Sequence, residues 1–505
     1  MKPRHSLTAL AVFAAFSTAM PGIGVAATDE QKSVAFAAID RNASEIALVG
    51  DTLYFYAEPG MQEFESAKFL KESLTDMGFK VETGRAGMPT AVWATYGSGK
   101  PHVVIVTEID ALPEGSQTPG SMPRKPLVAG APGHMEGHNT HGGVALGALQ
   151  AVKAVMDKYK LPGKVSVSFG PAEEQLASRP FLVRSGQFAD ADAAILIHIG
   201  DRLSTGYGLQ NYAAISATFS FKGKTAHGAV NPWDGKDAVD AVVLMDTGYN
   251  ALREHMRPTQ RAHRTITAGG IQPNIIPDYG QSWWFVRDAN APWAKENFDK
   301  LVNVAKGAAL MTGTTMEVEV IASAWPQLGN KVLSEAISRN IDVVGMPKWS
   351  ADEDKFAREF QRSLSLPVIG LATARVTGNR PQSFASNDNG DVTWVVPTGT
   401  LSFPSAVPGV GAHNWQAGVT PTLSLSHKGQ VTGAKVLAGS ILDILTEPQV
   451  LAGARAEFDA ELKKSPYFSL LPPEAQPKTD MNKEVMEKLR PEMSKFYLKK
   501  KANFK

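Results

Sequence analysis

Three short apolar runs mark the first half of the chain: HVVIVTE at 102–108, KVSVSFG at 164–170 and AAILIHIG at 193–200. Runs of this length, rich in β-branched residues, predict strands buried on both faces of a parallel sheet. Between the first two, Val144, Leu149, Val152 and Met156 form an apolar stripe, and Leu161-Pro162-Gly163 stops it. That spacing predicts a helix from about 140 to 159. Strand and helix alternate in this way from residue 28 to about 210, which predicts an α/β domain with a mostly parallel sheet flanked by helices. In open sheets of this kind ligands gather beyond the carboxyl ends of the strands. Asp110, Glu173, Glu174 and His198 all stand at such ends.

The rhythm changes over residues 212–323. Ile215, Ala217, Phe219 and Phe221 alternate with Ser216, Thr218, Ser220 and Lys222, the pattern of a strand with one wet face. A helical stripe of Ala238, Val242, Met245 and Tyr249 follows, then extended segments near 264–270 and 280–287. A helix marked by Phe298, Leu301, Val302 and Ala305 and a strand at 316–322 complete the stretch. The predicted order is β-α-β-β-α-β, a ferredoxin-like (split βαβ) arrangement. It reads as a domain inserted into a catalytic domain made of 28–211 and 324–455. Residues 456–505, rich in Lys, Glu and Pro, are expected to be a solvated, partly disordered charged extension.

With 505 residues, 43% of them hydrophobic and 20% charged, the chain has room for two domains with large cores. A formal net charge of +1 argues against a polyanion-binding surface, so no nucleic acid partner is expected. Lys2 and Arg4, the apolar stretch from Leu7 to Met20 and Val25-Ala26-Ala27 have the layout of a secretory signal over residues 1–27. An uncleaved anchor is the alternative, but the apolar core is short for a membrane span. Cleavage would leave no later span and place the protein in the periplasm or outside the cell. The chain has no cysteine, so any metal it binds must use His, Asp and Glu.

The candidate chemistry lies in four segments. In GHMEGHNTHGG at 133–143, Glu136 and His138 flank a glycine that permits a tight turn. A carboxylate such as Glu136 can bridge two divalent ions ~3.5–4 Å apart. His134 and His141, in the same segment, read as supporting groups rather than ligands. PAEEQ at 171–175 supplies Glu173 and Glu174, which can divide the work. One would bind metal; the other would be a general base that takes a proton from water and hands it to a leaving nitrogen. His198 and His413, in AAILIHIG and GAHNWQ, are ambiguous singly and informative together. In the inserted domain His227 could donate to a developing oxyanion or be a plain surface residue. Asn274 and Arg287 are candidate substrate-binding groups, and an ordinary salt bridge is the alternative for Arg287.

Together these segments resemble the dinuclear metallopeptidase family of aminoacylases, indoleacetyl-amino-acid hydrolases and glutamate-releasing carboxypeptidases. The resemblance reaches to about residue 450. It rests on PAEE, FKGKTAHGA, GGIQPNIIP, SNDNGDVTWVVP, HNWQ and LSHKG, in that order. It implies Glu136, His138, Glu174, His198 and His413 as ligands of two divalent ions, zinc or manganese, with Glu173 as base. It also implies a homodimer through residues 212–323, in which His227 reaches the neighbouring subunit's site. The expected activity is cleavage of a small-molecule amide, an N-acyl or N-aroyl amino acid. A dipeptidase or carboxypeptidase and a non-catalytic binding protein are the alternatives. Two departures stand out. That branch carries Cys-Gly-His where this chain has Glu136-Gly137-His138, and Arg-x-Asp-x-Asp where it has Val106, Glu108 and Asp110.

Overall fold

The computed structural model describes residues 27–379 and 382–505; the expected export signal lies outside them, apart from its last residue, Ala27. The larger sheet has eight strands. Its main members are β1 (Lys80–Thr83), β2 (Val92–Ser98), β3 (His102–Glu108), β4 (Gly163–Gly170) and β5 (Ala193–Gly200). The smaller sheet comprises β6 (Ala213–Lys222), β7 (Arg261–Ala268), β8 (Tyr279–Asp288) and β9 (Thr315–Ala324). The chain then returns to the larger sheet as β10 (Thr398–Pro404). The order there is β1-β2-β4-β3-β5-β10, followed by the two-residue strands Ser204–Thr205 and Val376–Thr377. The central strands β4, β3, β5 and β10 run parallel. Their carboxyl ends therefore open on one edge.

The apolar runs fill both faces of this sheet, as continuous hydrophobic strands must. On β3, Val103 and Ile105 point into one core, Val104 and Val106 into the other. The first core is closed by the helices Ala43–Tyr56, Asn139–Tyr159, Lys331–Val344 and Ser424–Thr446. The second core continues without interruption into the smaller sheet, through Trp325, Val392 and Trp394 to Phe219, Trp284 and Leu301. Packing across that junction fixes the smaller sheet against the strand ends.

The smaller sheet is antiparallel, in the order β9-β6-β8-β7. With the helices Ala238–Leu252 and Ala291–Thr312 it has the β-α-β-β-α-β order. Alternation on β8 sends Ser282, Trp284 and Val286 into the core and leaves Trp283, Phe285 and Arg287 half-buried on the other face.

The C-terminal residues differ from the expected solvated tail. The helix Pro448–Lys464 crosses the anticipated boundary. Beyond it Leu470 and Leu471 are buried in the second core, and Trp325 Nε1 donates to the Phe468 carbonyl at 2.7 Å. The helix Lys483–Met493 buries Met486 and Met493, and Arg490 pairs with the buried carboxylate of Glu58. The last residue, Lys505, exchanges backbone hydrogen bonds with the Asn42 side chain at 2.7 and 2.8 Å. The few apolar residues of this stretch are too widely spaced to show a period. They dock singly on surface that the rest of the chain supplies.

Candidate metal centre

The four parallel strands deliver the site. Glu108 ends β3, with Asp110 just beyond it; Glu173 and Glu174 follow β4; His198 lies on β5. The 133–138 loop, which leads into the helix Asn139–Tyr159, carries Glu136 and His138. His413 sits on the loop after β10, and its backbone N–H donates to the Met135 carbonyl at 3.0 Å, tying the two loops together. Gly137 has φ +96, and a Cβ there would stand 2.5 Å from Ile199 Cδ1. Only glycine makes that turn, which sends Glu136 and His138 the same way.

Glu136 spans the cluster. Its Oε1 lies 3.6 Å from His198 Nε2, and its Oε2 lies 2.8 Å from His413 Nε2. His413 Nε2 is also 3.2 Å from Glu174 Oε2. Ligand atoms of Glu136, Glu174 and His413 fall within 4.8 Å of one another, and so do those of Glu108, His138 and His198. A third group, His138, Glu173 and Glu174, overlaps both. The five side chains expected to ligate therefore meet at one place. His138 turns Nδ1 to the Asp110 carbonyl at 3.2 Å, and its Nε2 is buried without a hydrogen-bond partner.

The loop carrying the two glutamates is strained and clamped. Ala172 and Leu176, on either side of Glu173–Gln175, have φ of 53 and 58, each costing of order 1–3 kcal/mol for a residue with a Cβ. Buried carboxylates hold its N–H groups. Glu63 accepts from Ala172 at 2.9 Å, Asp110 from Glu174 at 3.0 Å and Asp388 from Ser178 at 2.9 Å. Burial, then the Asp110 charge, pushes the Glu63 carboxyl up to about 8. Anchoring of this kind fixes the direction of both glutamates.

The donor set fits divalent cations. Buried, unpartnered atoms face it, among them His138 Nε2 and Glu108 Oε1. A buried polar atom without a partner is costly unless something charged meets it. The excess of carboxylates favours the protonated forms of two histidines, His413 and His138. Hydrogen bonds to Glu136 and Glu174 push His413 up to about 10. His138 is also raised: burial opposes its charge, but Asp110, Glu174 and Glu136 prevail. Burial alone would raise Glu136, yet the His413 hydrogen bond and the neighbouring imidazoles hold it below the usual range. Glu173 is raised well above that range, by burial first and then by Glu174 and Glu108.

His134 and His141 support rather than join the set. His134 turns Nε2 to the Leu53 carbonyl at 3.1 Å. His141 Nε2 accepts from the Ile199 N–H at 3.0 Å, which steadies the strand bearing His198. Burial lowers both, His134 to about 3.

Glu136, Glu173, Glu174, His198 and His413 line a cavity of ≈ 860 Å³ whose other wall belongs to the smaller sheet. That wall carries Arg261, His263, Phe285 and Arg287, with Arg261 opposite Arg287 and His263 opposite Phe285 in register. Among the described residues no carboxylate makes an ion pair with Arg261 or Arg287. Asn274 and His227 are elsewhere. They do not line this cavity; they adjoin each other on exposed loops, with the Gly228 N–H donating to the Asn274 carbonyl at 2.9 Å.

Sequence reasoning singled out neither Glu63 nor the Arg261–His263 pair. It noted Glu108 only as a departure, and Asp110 as a strand-end residue and a departure. Glu63 carries no local signal, because its partner Ala172 is 109 positions away. For Arg261 and His263 the alternation across β7 was the available clue.

The signature of peptidase family M20/M25/M40 matches residues 104–414. Over 468 residues the chain is 30% identical to one of the p-aminobenzoyl-glutamate hydrolase polypeptides of Escherichia coli (strain K12), covering 87% of this chain and 97% of that protein. It is 29% identical to the Xaa-Arg dipeptidase of Mus musculus over 75% of this chain and 80% of that one. In fold it is similar to a dinuclear metal binding peptidase of the M20 family from Bacillus subtilis. There the TM-score is 0.53 and the identity 18%, over 80% of this chain and 99% of that one. The match spans β3 through the His413 loop, the stretch that carries every converging ligand, and the chain belongs to peptidase family M20/M25/M40, metal-dependent hydrolases of amide bonds.

Proposed function

We propose that this chain is an exported amidohydrolase that cleaves N-acyl or N-aroyl amino acids, p-aminobenzoyl-glutamate among them, at the amide beside a free carboxylate. The observation that carries the reading is that one cavity joins the ligand cluster to a wall of two guanidinium groups that face no carboxylate. Arg261 is exposed and donates to the Pro258 and Gln260 carbonyls, but Arg287 is half-buried with no acidic partner, which is costly for a cation, so an anionic substrate group is the natural partner of Arg287. The relative named for p-aminobenzoyl-glutamate supports the same substrate class.

In this reading Glu136, Glu174 and His413 would hold one divalent cation, and His138 and His198, with Glu136, would hold the second. Divalent cations, when bound, withdraw charge from a carbonyl and make a nearby water acidic near neutral pH. Glu173 accepts the proton of the attacking water on a carboxylate oxygen and returns it to the amide nitrogen as the C–N bond breaks. Arg287 grips the substrate carboxylate. A panel of N-acyl, N-aroyl and dipeptide substrates, assayed with Mn²⁺, Zn²⁺ and Co²⁺, tests the proposal. Turnover of acylated or aroylated amino acids is expected; preference for dipeptides would move the assignment to a dipeptidase, and no turnover of any amide would overturn it.

Arg287→Met should raise KM about 10–100-fold and leave kcat within a few-fold, as expected for a lost charge-assisted contact made equally in both states. An unchanged KM would show that the carboxylate is held elsewhere.

The smaller sheet is proposed to pair two subunits. Its loops expose Val230 (67%), Trp233 (79%) and Ile271 (99%) beside His227, an apolar surface of the kind that marks an interaction site. Asn274 and His227 would then serve the partner's cavity. Mixing His227→Ala with Glu173→Ala subunits, each inactive alone, should restore activity, because one composite site in the mixed dimer is intact. No recovery after verified subunit exchange would rule out sharing of the site.

A further inference from the structure

Glu108 is a charged side chain that the five-ligand scheme leaves without work. It is fully buried at the end of β3. Its two oxygens are treated differently. Oε2 accepts from Asn389 Nδ2 at 3.1 Å and from Arg179 at 3.3 Å. Arg179 is itself anchored, its backbone N–H donating to Asp388 at 2.9 Å. Oε1 has no hydrogen-bond partner. It lies 3.8 Å from His198 Nε2 and 3.7 Å from His141 Nδ1, both beyond hydrogen-bond reach. Its neighbours on the open side are the ligating atoms of His138 and His198, all within 4.8 Å.

A carboxylate with one oxygen pinned by two donors and the other bare, aimed between two imidazoles, is built as a ligand is built. A structural role would have satisfied both oxygens, since the unsatisfied one costs about 1–3 kcal/mol or more.

We propose that Glu108 ligates the cation held by His138 and His198, so that six side chains rather than five hold the pair, with Asn389 and Arg179 as its positioning residues. This extends the dinuclear reading and rests on it. It gives work to Asn389, in the SNDNGDVTW segment that the catalytic scheme had not used. It also makes that cation's surroundings richer in hard oxygen, through Glu108 and Glu136, which suits manganese better than a thiolate-containing set would.

The test is metal binding, read without activity. Protein stripped with a chelator is titrated calorimetrically with Mn²⁺ and with Zn²⁺, as wild type and as Glu108→Gln. Glutamine retains a carbonyl oxygen for Arg179 and Asn389 while turning an NH₂ group to the cation, so the scaffold is kept and the ligand lost. Wild type should take up two equivalents. E108Q should hold one as before and bind the other at least about 100-fold more weakly, since losing even a supporting group costs 10–100-fold. Two equivalents of unchanged affinity in E108Q overturn the assignment of Glu108 alone. One equivalent or none in the wild type overturns the dinuclear reading and the assignment with it. If stripped E108Q melts well below wild type, Asn389→Ala decides: about 10–100-fold weaker binding of one ion supports the proposal, and unchanged binding of both overturns it.

Discussion

Glu173→Ala is expected to cut kcat by about 10²–10⁴-fold, or about 3–5 kcal/mol of barrier, while the protein keeps its full complement of metal. The ligand groups Glu136, Glu174, His413 and Glu108, His138, His198 are complete without Glu173. Removing it therefore leaves cation binding largely alone, whereas Glu174→Ala should reduce metal content. Burial first, then Glu174 and Glu108, raise the proton affinity of Glu173 well above the ordinary carboxylate range, the direction a general base needs. Metal content by elemental analysis and turnover on the best substrate of the panel check the prediction together. Wild-type turnover in Glu173→Ala would show that another group carries the proton. Loss of metal would show that Glu173 is a ligand instead.

The larger sheet was legible because its central strands are buried on both faces. Continuous apolar runs such as HVVIVTE have no other common cause in an α/β chain, and the rule placing ligands at strand ends then located Glu173, Glu174 and His198. Glu136 and His138 were legible from their spacing about Gly137, whose positive φ explains it. Three features were not. Glu63 acts through a hydrogen bond across the sheet, and nothing in YAEPGMQEFES announces that partner. The cationic wall depends on which face of β7 and β8 turns to the cavity, set by how the smaller sheet packs through Trp325 and Trp394. The C-terminal segment was read by composition alone. Composition reports solvation when apolar residues are few, but Leu470, Leu471, Met486 and Met493 find their surroundings in distant parts of the chain.

Glu136→Ala should be as damaging as loss of the base, by a different route. Glu136 is the residue with one oxygen toward His198 and the other toward His413, so its removal opens both cation positions at once. At least one metal equivalent should be lost and activity should fall by about 10³-fold or more, on the scale of losing a charge-stabilising group. The more discriminating variant is Glu136→Cys. It puts a thiolate where this chain has a carboxylate, in a protein with no other cysteine. Soft sulfur favours zinc, and hard oxygen favours manganese. Competition between Mn²⁺ and Zn²⁺ for the stripped protein should therefore shift toward zinc in Glu136→Cys relative to wild type. The shift can occur only if residue 136 touches a cation. An unchanged preference would place Glu136 outside the ligand set and leave the two halves of the cluster without a bridge, whatever the activity of the variant.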